Sequence, residues 1–136
     1  MAATLDTVLE KRVEALCAFA PQAQAFLARA GVAEAAAWKV LMALEETVRN
    51  LIEHAHPSLT DRVQVRIAVS DGQVALVLED DGPAFAPDQA PRFDPGMSLA
   101  ERFPHGMGMH LLRQFMDEIR YQRLDERNRL ELVVGR

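Results

Sequence analysis

Residues 63–80, VQVRIAVSDGQVALVLED, place the tightest constraint on any fold this chain can take. Val63, Val65, Ile67 and Val69 alternate with more polar residues, and a period of two belongs to a strand with one face on a core. Asp71-Gly72 then supplies the turn chemistry of a tight hairpin, and QVALVLED returns as the partner strand. The chain must therefore build an antiparallel sheet, and something apolar has to cover one side of it.

Helices are the expected cover. Residues 34–55 read as one long helix, in which Leu41, Leu44, Val48, Leu51, Ile52 and Ala55 make an apolar stripe that Pro57 ends. Upstream, about Leu9 to Ala30 is rich in Ala, Leu, Glu and Arg, with Leu9, Val13, Leu16, Cys17 and Ala20 at helical spacing. There Pro21 is expected to end one helix or open the next, and Gly31 is a natural stop. Thr4, Leu5, Thr7 and Val8 fit either a short edge strand or a lead into the helix. Near the carboxyl end, EIRYQRLD and NRLELVVG form a second hairpin around residues 125–128. Between the hairpins, residues 82–105 hold five of the seven prolines. A long irregular segment of this kind inside a domain is usually a functional loop or lid. GMGMHLLRQFMDE follows, with glycines opening a helix whose core side is Leu111, Leu112, Phe115 and Met116.

At 136 residues the chain fits one domain with a real core. Its 13 arginines and 2 lysines are spread among 20 acids at a net charge of -5, which argues against a direct nucleic-acid role. Cys17 is the single cysteine, so no intrachain disulfide forms, and its apolar neighbours suggest a buried thiol. No apolar run of about 18 residues exists, and MAATLDTVLEKR lacks the basic start and apolar stretch of a signal peptide, so the expected address is the cytoplasm, away from membranes.

Three polar features stand out. On an ideal helix Glu46 and Asn50 lie about 40° apart, roughly 150° from the centre of the apolar stripe. By itself the pair reads as a solvated face. It is also a carboxylate and a carboxamide oxygen one turn apart, able to take a proton and to meet Mg²⁺ beside a phosphate. EDDGPAF, residues 79–85, is good turn chemistry. Equally, an acid at a strand end can accept a hydrogen bond from a ligand's amino group while Gly82 lets backbone come close. HGMGMHLL, residues 105–112, is a flexible helix start or an anion site built from backbone N–H groups. No Walker A loop is present, because neither Lys11 nor Lys39 follows a glycine, so nucleotide binding would proceed without one.

In this order, ALEETVRNLIEHAHP, LEDDGPAFAP and GMGMHLLRQFMDEIRYQR resemble the N, G1 and G2 boxes of the GHKL or Bergerat-fold ATP-binding domain. That family includes gyrase, heat-shock chaperones, MutL-type repair proteins and histidine kinases. The likeness covers roughly residues 38–134 and is greatest to the anti-sigma factor serine/threonine kinases of bacterial partner-switching systems. It implies an α+β two-layer sandwich, with a mixed, mostly antiparallel sheet covered on one face by helices, over residues 1–136 as one domain. It also implies a lid over about residues 86–105.

Carried over by residue, the resemblance assigns Asn50 to Mg²⁺ and Glu46 to the general base acting on a substrate hydroxyl. Asp80 would accept the adenine amino group of ATP, Gly82 would leave room for the base, and Gly106, Met107 and Gly108 would offer N–H groups to the phosphates. Arg92 and Arg102 read first as solvated side chains and second as reaching for the γ-phosphate. Ala84, Arg49, His56 and His105 depart from common family residues without removing a proposed ligand, and Arg49 stands where it can alter how phosphates or a partner are met. The implied activity is phosphorylation of a Ser or Thr on a small STAS-domain antagonist (an anti-anti-sigma-like protein). A sigma factor is the family's default regulatory target, and the resemblance suggests a homodimer. The rivals are an ATP-binding module that sequesters a partner without phosphate transfer, and a histidine kinase catalytic domain, for which no histidine precedes His54.

Overall fold

The computed structural model describes residues 2–53, 62–81 and 112–135. In chain order these form β1 (Ala3–Glu10), α1 (Val13–Arg29), α2 (Glu34–Glu53), β2 (Arg62–Ser70), β3 (Gln73–Asp80), β4 (Glu118–Leu124) and β5 (Arg127–Gly135). The strands make one five-stranded sheet in the order β1-β2-β3-β5-β4. Each of its four pairings is antiparallel, so the expected mixed character is not found among the described strands. The helices cover one face.

Alternation sets that face. Val63, Val65, Ile67 and Val69 of β2, Val74, Leu76 and Leu78 of β3, and Leu130, Leu132 and Val134 of β5 are all buried in one cluster with α1 and α2. The opposite face carries ion pairs between neighbouring strands: Arg66 with Asp6, Arg129 with Glu79, and Arg120 with Glu131. The Arg66 guanidinium, hydrogen-bonded to Asp6, holds its proton more firmly than a free arginine. Pairs this exposed add little stability.

The amino terminus resolves as an edge strand. Leu5, Thr7 and Leu9 point inward along β1, whose partner is β2, so helix α1 begins at Val13 rather than near Leu9. Pro21 neither ends nor opens a helix, because α1 runs through it. A proline inside a helix costs about 3 kcal/mol. A break there would free Ala23 and Leu27, both fully buried, and burying one leucine contributes about 1.5–3 kcal/mol. Pro21 itself lies on the exposed side, where the lost hydrogen bond meets water. Gly31 stops α1 as expected: at φ +76° it takes the left-handed conformation, while its N–H reaches the carbonyl of Ala28 and that of Val32 reaches Leu27, closing a Schellman motif.

Two further expectations change. Cys17 is exposed, because the buried stripe of α1 is Leu16, Phe19, Ala23 and Leu27. On α2 the fully buried residues are Val40, Ala43, Leu44, Thr47 and Val48, whereas Leu41, Leu51 and Ile52 are half-buried. Small Ala43 and Thr47 let the helix approach the sheet, which turns the buried face about 60° from the stripe read off the larger residues. Ala55 and Pro57 lie outside the described residues, as do Leu111 and the glycines before it; Leu112 and Met116 are buried as expected.

Candidate functional site

Period two carries polar residues to the open end of the core. The inward row of β3 runs Val74, Leu76, Leu78 and then Asp80; that of β5 runs Val134, Leu132, Leu130 and then Asn128. The sheet register sets Asp80 directly opposite Asn128. Both are buried, at 5% and 6% exposure. Buried polar groups persist only where they are hydrogen-bonded, and here Asn128 Nδ2 donates to Asp80 Oδ1 at 3.0 Å. Asn128 Oδ1 in turn accepts from the Tyr121 hydroxyl at 2.5 Å and from Arg123 at 3.1 Å. A third strand row, Leu5, Thr7 and Leu9, is continued by Lys11 just past the end of β1, and Lys11 Nζ donates to Asp80 Oδ2 at 3.0 Å.

Above this network lies a small pocket lined by Thr47, Asn50 and Leu51 of α2, Leu78 and Asp80 of β3, Tyr121 of β4, and Asn128 and Leu130 of β5. Small-molecule sites are typically lined by apolar side chains with a few polar groups that fix orientation. The lining has that character: leucine walls, one buried carboxylate and the two carboxamides of Asn50 and Asn128. Thr47 returns its hydroxyl to the carbonyl of Ala43 at 2.7 Å, so the helix itself satisfies that group.

The rotation of α2 brings Asn50 in. It lies about 90° from the centre of the buried face by helical geometry, beside the core rather than opposite it, and it is half-buried. Glu46 precedes it by one turn, also half-buried, and is not among the described residues that line the pocket. Asn50 and Asp80 thus share one cavity, and Glu46 stands one helical turn before Asn50. Arg49 points elsewhere. It pairs with Glu45 at 3.1 Å, and both line a separate groove between α1 and α2. Gly82, Gly106, Met107 and Gly108 lie outside the described residues, together with Arg92, Arg102 and the expected lid over 86–105.

Lys11, Tyr121 and Asn128 are the site residues that motif spacing missed. Their signal was parity: each falls on the inward register of its strand or, for Lys11, of the strand's continuation. A polar residue at the end of such a row faces whatever fills the sheet's open end. Among the described residues no helix is long and apolar enough to cross a membrane.

Comparison with known proteins bears on the family and the fold. A family model described as a histidine kinase-like ATPase domain matches residues 9–134. Serine/threonine-protein kinase BtrW of Bordetella bronchiseptica is 32% identical over 90 residues, which cover 65% of this chain and 63% of that protein. Serine-protein kinase RsbW of Bacillus subtilis is 26% identical over 86 residues, covering 60% of this chain and 54% of that one. The match therefore spans less than two thirds of either relative's length. A crystal structure of the RsbU and RsbW domains of Rv1364c from Mycobacterium tuberculosis shares the fold, with a TM-score of 0.69 over 98% of this chain and 33% of that chain at 19% identity.

Proposed function

Because the chain belongs to the histidine kinase-like ATPase domain family, we propose that it is an ATP-dependent protein-serine/threonine kinase and switch protein of the anti-sigma factor type. Its substrate would be a Ser or Thr of a small STAS-domain antagonist, and its regulatory target a sigma factor or similar protein. The observation that carries this reading is the pocket between α2 and the end of the sheet, where the Asp80 carboxylate and the Asn50 carboxamide meet leucine walls. The kinase names of the two curated relatives support the same reading.

The residues present suit a purine nucleotide. Leu51, Leu78 and Leu130 offer flat apolar contact to a base, and Asp80, held in place by its neighbours, offers an acceptor to an exocyclic amine. Asn50 carries the oxygen suited to Mg²⁺. Glu46, one turn and about 6 Å along the helix axis, is the group to take the proton of an acceptor hydroxyl. When bound, Mg²⁺ and ATP supply charge neutralisation and the phosphoryl group. Phosphoryl transfer asks the protein chiefly for positioning and electrostatic stabilisation, which a rigid helix flank and a buried strand end provide. Gly82, Gly106, Met107 and Gly108 remain assigned to base and phosphate by resemblance.

Incubating the protein with γ-labelled ATP, Mg²⁺ and lysate of its source tests the reading. Label on a serine or threonine of a small protein supports it. Tight ATP binding with no transfer supports the sequestering module in its place.

A further inference from the structure

We infer that Lys11 is a positioning residue for base recognition: it holds the Asp80 carboxylate as a fixed anionic acceptor and thereby sets the preference for a base bearing an exocyclic amine. This rests on the reading of the pocket as an ATP site.

Lys11 and Asp80 are both almost fully buried, with side chains 4% exposed and Nζ 3.0 Å from Oδ2. They lie 69 residues apart in sequence. Lys11 is not among the described residues lining the pocket, whereas Asp80 is. The ammonium therefore meets the carboxylate without itself lining the pocket. The other oxygen is fixed just as firmly. Tyr121 and Arg123 both donate to Asn128 Oδ1, so the amide has to turn its NH₂ toward Asp80 Oδ1. Asp80 is thus held by a donor on each oxygen. A carboxylate has about four lone-pair positions, which leaves capacity on both oxygens for a ligand donor in the pocket. From α2 the pocket receives Thr47, Asn50 and Leu51, none of them ionisable. Among the described residues Lys11 is the cation in direct contact with this carboxylate, and Arg123 acts a step removed through Asn128.

Such an acceptor discriminates between bases. An adenine amine donates to it, whereas the carbonyl that replaces the amine in hypoxanthine presents another oxygen and meets repulsion. Remove the ammonium and the balance changes. A buried charge without its partner is strongly disfavoured, and the carboxyl neutralises itself or turns away. A neutral carboxyl donates as well as accepts, so amine and carbonyl are no longer told apart.

Equilibrium titrations with ATP and ITP test this on wild type, Lys11→Met, Lys11→Arg and Asp80→Asn, with thermal melting run alongside. The ATP-over-ITP preference is expected to fall about tenfold or more in Lys11→Met, the scale on which a charged hydrogen bond discriminates. Lys11→Arg, which keeps a cation, is expected to retain the preference to within about threefold. Lys11→Met placed on Asp80→Asn is expected to leave the ratio of that background unchanged, since Lys11 acts through the carboxylate. If Lys11→Met does not fold, Lys11→Gln carries the same expectation. A lowered melting temperature with an unchanged ATP-over-ITP ratio overturns the inference and leaves a purely structural ion pair. A wild type that binds neither nucleotide removes instead the reading on which it rests.

Discussion

Glu46 and Asn50 lie one turn apart on α2, and the proposed function gives them separable tasks. A carboxylate beside the site can move a proton, and a carboxamide oxygen can hold a metal but cannot serve as the base. Glu46→Gln is therefore expected to lower phosphate transfer by at least about a hundredfold, the usual scale of general-base catalysis, with ATP affinity within about threefold of wild type. Single-turnover transfer and equilibrium binding measured on the same preparation check this. Transfer persisting at wild-type rate would remove Glu46 from the base role. Both residues were readable from the spacing E-x-x-x-N. Their relation to the core was not, because a stripe counted from Leu, Ile and Val leaves out Ala43 and Thr47, which decide how α2 rolls onto the sheet. Lys11 was hidden for a related reason: its importance lies in a contact across 69 residues, and only the strand parity of β1 announces it.

Among the elements, the central hairpin was the most legible because two signals coincide there: alternation along β2 and Asp-Gly at the turn into β3. Gly72 takes φ +91°, the conformation for which glycine is favoured. The second hairpin turns with less suitable residues. Asp125 and Glu126 sit at φ 46° and 68°, a left-handed pair that costs an L residue about 1–2 kcal/mol each. Glu126→Gly is accordingly expected to stabilise the fold by about 0.5–1 kcal/mol, read as a higher urea midpoint at unchanged slope. Helix α1 was the least legible element, since the helix formers that run from Leu9 and the proline at its centre both mislead. β1 pairing claims the first of these, and burial of Ala23 and Leu27 overrides the second. Pro21→Ala, on the exposed side of α1, is expected to stabilise by about 1–3 kcal/mol by restoring a backbone hydrogen bond. The same denaturation experiment checks it, and a lower midpoint would mean that Pro21 is needed where it stands.

At the scale of the molecule, a single antiparallel sheet carries α1 and α2 on one face, and among the described residues the polar ends of the inward rows collect at one end of the core. The pocket is a consequence of that arrangement: α2 supplies Asn50, β3 supplies Asp80, and β5 closes the floor with Asn128. The sheet and its helical cover were foreseeable from periodicity, while the site needed the three boxes read together, because each box alone has an ordinary structural meaning. The central claim is that this cavity takes the adenine of ATP on Asp80. An equilibrium titration of ATP in Mg²⁺ into wild type and Asp80→Asn, with both proteins shown to be folded by near-ultraviolet circular dichroism, tests it most directly. A single saturable site in wild type, weakened about tenfold or more in the variant, is the predicted result. Equal affinity in the two proteins, or no saturable binding by wild type, would contradict it.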